Sequence, residues 1–392
     1  MSDAGGGGRL AEGQRGLLAG LLLAMLALGG CTQSDFPVYP ANYREYIYVT
    51  NHQSGTVTVI DVVNVRLDRD LAVGQNPAAV AASPTRNEVY VVNEGTPWSS
   101  GSISVIDAER NAVAATIPLH RQPTSISVSA DGKLAYVANS GSNTVSVIDL
   151  PARREVAQIA AGTDPVAARI SPDGDSLVVG DRAGDAVTVI DARTGRTRAV
   201  FDGCPGAGRP VILPDSSKAF VPCTEGHAVM AIALAQEHPA QSDRLEALID
   251  VGRNPANLAL KPDGGEVFVS NSLSDSTSEL ETDADDVIGA TLMGAGPVFG
   301  LVSRDNSTLY VANDRSQYVS EYSIDDGQRM ASVGVGDGPS ALAFSAYGHL
   351  LFATDSRSGD VAVIRLSSFS LFTLIPAGRD PDAIADKAFR VR

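Results

Sequence analysis

The sequence predicts an all-β chain: a β-propeller of eight four-stranded antiparallel blades. Three observations predict it. A short apolar strand ending in Asn or a stand-in recurs eight times through 392 residues, at spacings of 42, 46, 42, 42, 48, 42 and 42. Each recurrence sits in the same order of four β-like segments, divided by turn residues. Beyond the first thirty residues, no segment carries the 3.6-residue apolar period of an amphipathic helix.

The marker strands are Tyr46 to Asn51, Glu88–Asn93, Leu134–Asn139, Ser176–Asp181, Lys218–Cys223, Glu266–Asn271, Thr308–Asn313 and Leu350–Asp355. Their central aromatics are Tyr48, Tyr90, Tyr136, Phe220, Phe268, Tyr310 and Phe352, with Val178 in the fourth place. The third repeat shows the whole unit. An apolar run at 123–129 meets the turn Ala130-Asp131-Gly132, followed by the marker strand. Gly141-Ser142-Asn143 then turns the chain into Thr144–Asp149, and 156–160 is the last strand. Enrichment in Val, Ile and Thr between Asp-Gly, Ser-Gly and Gly-x-x-Pro words is the signature of strands and hairpins.

Such a sheet cannot bury both faces alone; set radially, it packs on two neighbours. The repeats begin in a second strand, at Tyr46. They end with a spare first strand from Asp380 to Ala385. The expected closure puts this last strand into the first blade.

The words Tyr48-Val49-Thr50-Asn51, Thr144-Val145-Ser146-Val147-Ile148-Asp149 and Ser171-Pro172-Asp173-Gly174 resemble the YVTN β-propeller repeat family, which includes YncE-like and lactonase-like propellers. The resemblance runs over about 46–388 and bears on fold far more than on function. Many propellers of this kind have seven blades, the alternative to the eight that the markers count. The WD40 signature, which pairs Gly-His with Trp-Asp in each repeat, is absent: the single tryptophan, Trp98, is followed by Ser99.

The N-terminus reads as an address. Arg9 and Arg15 precede an apolar run at 17–28, too short to span a bilayer but suited to a signal peptide. The ending Leu28-Gly29-Gly30-Cys31 resembles the bacterial lipobox. The implied domains are a signal peptide at 1–30, a lipidated Cys31 with a tether at 31–45, and a propeller at 46–392. Two or three acyl chains would hold the protein on a membrane. Thr32 after the cysteine, in place of Asp, favours the periplasmic face of the outer membrane or the cell surface. The net charge of −16 repels phosphate backbones and excludes nucleic acid as the main partner. The expected partners are the membrane, through the lipid, and a small ligand or an envelope protein, with the propeller a monomer.

The loops before the first strand and after the second share one face, around the central funnel. That face carries the pairs Gly74/Pro77, Gly162/Pro165, Gly252/Pro255, Gly294/Pro297, Gly336/Pro339 and Gly378/Pro381. Glycine is read there as permitting unusual backbone angles, and proline as opening the inner strand. Variation between repeats nominates His52, Glu94, Trp98, His120, Arg121, Asp164, Arg182, Arg253, Asn254, Asp314, Arg315 and Arg379 as funnel-face binding residues. Trp98 lies in a longer loop at 94–100; beside Arg, Asp and His it suits an anionic or sugar-like ligand. His120 and Cys204 stand where other repeats have the funnel glycine. Cys204 opens an inner strand and Cys223 ends its antiparallel partner, which predicts a disulfide in an oxidising compartment. The acidic run Glu279, Glu281, Asp283, Asp285 and Asp286 lacks calcium-loop spacing and reads as a solvated edge. The insertion 235–244 reads as a loop on the opposite face.

No Gly-x-Ser-x-Gly, P-loop or His-Glu-x-x-His occurs, so no catalytic residue, metal site or cofactor is assigned. The leading expectation is a membrane-anchored binding or protein-interaction module. A lactonase-like hydrolase or lyase acting at the funnel face is one alternative. A haem d1-type redox or cofactor-biogenesis propeller, with His52 or His120 as axial ligand, is another.

Overall fold

The computed structural model describes residues 36–235 and 241–391. The stretch read as a signal peptide and Cys31 lie outside the described residues, as does part of the 235–244 loop. Eight four-stranded antiparallel sheets form the body, in agreement with the marker count. Apart from two short 3₁₀ turns, Ser140–Ser142 and Arg182–Gly184, every regular element among the described residues is a strand.

Blades 2 to 8 are each written consecutively, from the strand beginning at Pro77 to the strand ending at Pro376. Blade 1 joins the two ends of the ring. Tyr43–Asn51, Thr56–Asp61 and Arg66–Ala72 are completed by Pro381–Arg390, which takes the innermost place. The closing register runs from Tyr43 opposite Arg390 to Asn51 opposite Pro381. The second strand of this blade therefore starts three residues before Tyr46, inside the stretch read as tether.

The core lies between blades. The cluster holding Tyr90, Ile103 and Ile117 of blade 2 also holds Ala135, Val137 and Ile148 of blade 3. A similar cluster links Phe220 and Val229 of blade 5 to Val267 and Leu280 of blade 6. Period-2 alternation sends the marker aromatic into such a cluster, and Tyr48, Tyr90, Phe220, Phe268 and Phe352 are almost wholly buried. Each buried Phe contributes about 1.5–3 kcal/mol.

The repeat words are coupled to one another. The Asn51 amide donates to the Thr58 hydroxyl at 2.9 Å, and Asn139 to Ser146 at 2.9 Å. Asn271 donates likewise to Ser278 at 2.9 Å, and Asn313 to Ser320 at 3.0 Å. The hydroxyl residue in the third strand is thus the partner of the Asn ending the second. Where Asp181 replaces Asn, the bond reverses and the Thr188 hydroxyl donates to the carboxylate at 2.6 Å.

The funnel glycine has a different cause from the one its position suggests. A Cβ on Gly252 would come within 2.6 Å of Asn271 Cγ, and one on Gly74 within 2.6 Å of Asn93 Cγ. Close approach of the marker Asn is what requires glycine. The left-handed backbone falls instead on the residue just before proline, as at Asn76, Asp164, Asn254 and Asp380. In blade 5 the same pair of positions holds Cys204 and Cys223, joined by the expected disulfide with Cα atoms 4.7 Å apart. The hydroxyl partner is gone there too, replaced by buried Met230.

Candidate functional site

Eight innermost strands, seven of them running from a mouth-side proline toward the opposite face, surround an axial channel of about 390 Å³. Most of its lining is small: Ala79, Ser125, Ala167, Ala256, Ser340 and Ala383 among others. Small side chains keep the bore open. Into it project Arg169 from blade 4, Arg209 from blade 5 and Asp382 from blade 1. Arg169 faces Val178 across its strand pair, three partner steps below Pro165 at the mouth. Asp382 follows the mouth residue Pro381 directly.

Arg169 and Asp382 are closely surrounded by protein yet reached by water through the bore. Burial lowers the pKa of Arg169 below the usual guanidinium value. Burial also raises Asp382, opposed by the positive charge of Arg209 and by His52 and reinforced by Asp380. Blades 1 and 5 are opposed in a ring of eight, so Arg209 acts on Asp382 across the channel. At the mouth, Glu94 is half-buried and raised by burial, with His52 opposing and Asp382 reinforcing the shift. His52, Glu94, Arg209 and Asp382 therefore share one electrostatic site, with Arg169 deeper in the same bore. None of these five side chains makes a hydrogen bond or ion pair with a described residue.

The rest of the funnel face differs in that respect. Arg182 pairs with Asp164 at 2.8 Å, and Arg315 with Asp275 at 2.7 Å. Arg357 bridges Asp314 at 2.7 Å and Asp337 at 3.0 Å. Arg121, Arg253 and Arg379 donate to the carbonyls of Pro97, Leu273 and Gln53 on neighbouring loops. Asn254 donates to Ser272 at 2.5 Å. These groups tie loop to loop. His120 lies on the outermost strand of blade 2 and meets Glu155 of blade 3 at 3.1 Å, away from the channel. Trp98 is 92% exposed and is not part of the channel wall.

Of the twelve funnel-face candidates, His52 and Glu94 join the channel group. Arg169, Arg209 and Asp382 were not among the candidates. For Arg169 and Asp382 the signal was a charge within an inner strand, as in Pro165-Val166-Ala167-Ala168-Arg169-Ile170; Arg209 lies just before the short strand Val211–Ile212. The acidic run is partly structural: Asp285 and Glu246 both bind Lys218 at 2.8 Å, and Glu279 accepts from Tyr322 at 3.2 Å. Among the described residues no group of three or more His, Cys, Asp or Glu side chains is arranged to hold a metal ion. Chemically, the narrow bore offers two guanidiniums and one carboxyl, with the Glu94 carboxyl and the His52 imidazole at its mouth.

Comparison with known proteins agrees with the architecture. Residues 96–204 match the model of the cytochrome D1 haem domain. The uncharacterised protein YncE of Salmonella typhi is 34% identical over 99 residues, 25% of this chain. The match spans about a quarter, 26%, of that relative's length. Among solved structures, dihydro-haem d1 dehydrogenase NirN, in complex with DHE, superimposes with a TM-score of 0.70 at 15% identity. That likeness covers 89% of this chain and 76% of NirN. AztD from Citrobacter koseri gives a TM-score of 0.65 at 13% identity, covering 88% of this chain and 98% of AztD. The chain is an eight-bladed β-propeller of YVTN-like repeats, similar in sequence over one stretch to the cytochrome D1 haem domain and over a quarter of its length to YncE.

Proposed function

We propose that this propeller is a binding module that takes a small anionic ligand into its axial channel, displayed from the cell envelope by a lipid on Cys31. The observation that supports it is the pair Arg169 and Arg209. They are two guanidiniums without a hydrogen bond or ion pair among the described residues, inside a bore of about 390 Å³. Cations left unpaired in a confined site of a chain with net charge −16 suit an arriving anion. The test is a thermal-shift and calorimetric screen of the purified chain with mono-, di- and tricarboxylates and inorganic phosphate. A ligand at 100 times its Kd adds about 2.7 kcal/mol and raises the midpoint by several degrees. Arg169→Gln and Arg209→Gln should each abolish the response. A variant that responds like the parent protein would refute the assignment.

A haem d1-type tetrapyrrole is a second reading, favoured by the match over 96–204, which includes Arg169. The donors it would need are two unpaired guanidiniums in the bore for its carboxylates and, at the mouth beside Asp382 and Glu94, the His52 imidazole for its iron. Bound, such a group would supply redox chemistry, while Arg169 and Arg209 would orient it and the bore would restrict water. A visible absorption band on titration with haem, lost in His52→Ala, separates this reading from the first.

A further inference from the structure

The channel charges are sorted by side as well as unpaired. The cations Arg169 and Arg209 come from adjacent blades 4 and 5. The carboxyls, Asp382 in the bore and Glu94 at its mouth, come from adjacent blades 1 and 2, across the ring. Arg169 also lies deeper than the carboxyls, whereas Arg209, between Ala207 opposite Cys223 and Val211 opposite Phe220, lies near the level of Asp382. Arg169 lies three partner steps below the mouth, whereas Asp382 adjoins the mouth proline and Glu94 follows the marker Asn93 at the mouth. The difference of about two and a half steps at about 3.3 Å each separates the Arg169 and Asp382 backbones by about 8 Å along the bore. A purely anionic ligand would use the Arg169 and Arg209 side and leave the two carboxyls opposite without a partner. An uncompensated charge in a confined site is costly, so that arrangement selects for a cation there.

We infer that the ligand is a small zwitterion, with its carboxylate or other anionic group held by Arg169 and Arg209 on the side of blades 4 and 5 and its ammonium group held by Asp382 and Glu94 on the side of blades 1 and 2. The inference rests on the anion-binding reading above and adds the second charge. Amino acids with separated charges, short peptides and anionic amino sugars belong to this class.

The experiment is isothermal titration of the full purified chain with 4-aminobutanoate, 6-aminohexanoate and 8-aminooctanoate. Each is set against its deaminated acid and its decarboxylated amine, in low-salt buffer at neutral pH. The expected result is that one amino acid binds at least tenfold more tightly than the matching acid and the matching amine. Asp382→Asn and Glu94→Gln should remove that advantage while leaving the binding of the plain acid intact. Arg209→Gln should remove binding of both. Equal affinity for the amino acid and its acid would overturn the zwitterion and leave the anion reading standing. Equal affinity for the amine, or no binding by any member, would overturn both. Unfolding midpoints of the variants, measured without ligand, distinguish a lost site from a lost fold.

Discussion

Asp355 is the buried stand-in for Asn at the end of the blade 8 marker strand, and replacing it with Asn should stabilise the protein at alkaline pH. Its partner seven residues on is Ala362, so no hydroxyl is available to it. Instead it lies against the Asp360 carboxyl, and one oxygen of each has no hydrogen-bond partner. One shared proton would serve both. Burial first, and then the Asp360 contact, raise Asp355 from 3.8 to about 8. A carboxyl raised in the folded state holds its proton more tightly there than when unfolded. Its contribution is therefore fully present below pH 4 and is lost as pH rises through about 8. At about 1.36 kcal/mol per pH unit, the full shift corresponds to about 6 kcal/mol. Two carboxyls share the proton, and Asp360 is partly exposed, so about half, roughly 2–3 kcal/mol, falls to Asp355. Asp355→Asn supplies the amide donor used in other blades. Thermal unfolding from pH 4 to 9 should show the variant melting about 5 °C higher at pH 8.5, with little difference at pH 4.5. Superimposable profiles would refute the shared-proton account. Asp181, raised to about 6 chiefly by burial, and Asp386, raised to about 8 by burial and Glu45, have the same sign. The variant should therefore retain a shallower pH dependence.

Three further outcomes are expected. Reduction of the Cys204–Cys223 bridge, or replacement of both residues by Ser, should cost about 3 kcal/mol, given a sequence separation of 19; denaturation with and without reductant measures it. Gly252→Ala should cost about 1–3 kcal/mol because its Cβ meets Asn271 at 2.6 Å, and shortening that partner in Gly252→Ala/Asn271→Ser should recover part of the loss. Calorimetry would report both, and an unaltered midpoint for the single variant would contradict the close-approach account. Ending the chain before Pro381 should abolish cooperative unfolding, since it strips the innermost strand from blade 1; a sharp transition in the truncated protein would show that ring closure is dispensable.

The fold was largely legible because a propeller repeats its chemistry. Eight marker strands set the blade number, and a spare first strand set the closure. The disulfide was legible as well, since two cysteines occupied positions that antiparallel pairing brings together. The start of the first strand at Tyr43 was not, because Pro37 and Pro40 nearby make residues before 46 look like linker. The glycine words were visible but their cause was hidden: sequence shows a flexible residue, whereas the structure shows the Asn side chain pressing on it. The site was half legible. Charges on loops drew attention to twelve positions, and most of these serve each other, as Arg182 serves Asp164. Whether a loop charge is already neutralised depends on contacts about 20 or 40 residues away, which one sequence does not display. Arg169 and Asp382 were overlooked because they sit inside strands, where a charge is easily assigned to the outside.

The closing strand also settles how this ring can be handled. Tyr43 and Arg390 lie opposite one another at the end of blade 1 remote from Asn51 and Pro381, so both chain ends leave the ring on the face away from the channel mouth. A tag, a fluorophore or a solid support attached through either end would leave the mouth unobstructed. Surface-immobilised formats are therefore suitable for ligand capture without redesign. Joining residue 390 to residue 43 through a short connector would make a circular chain whose new termini could be opened at any outer hairpin.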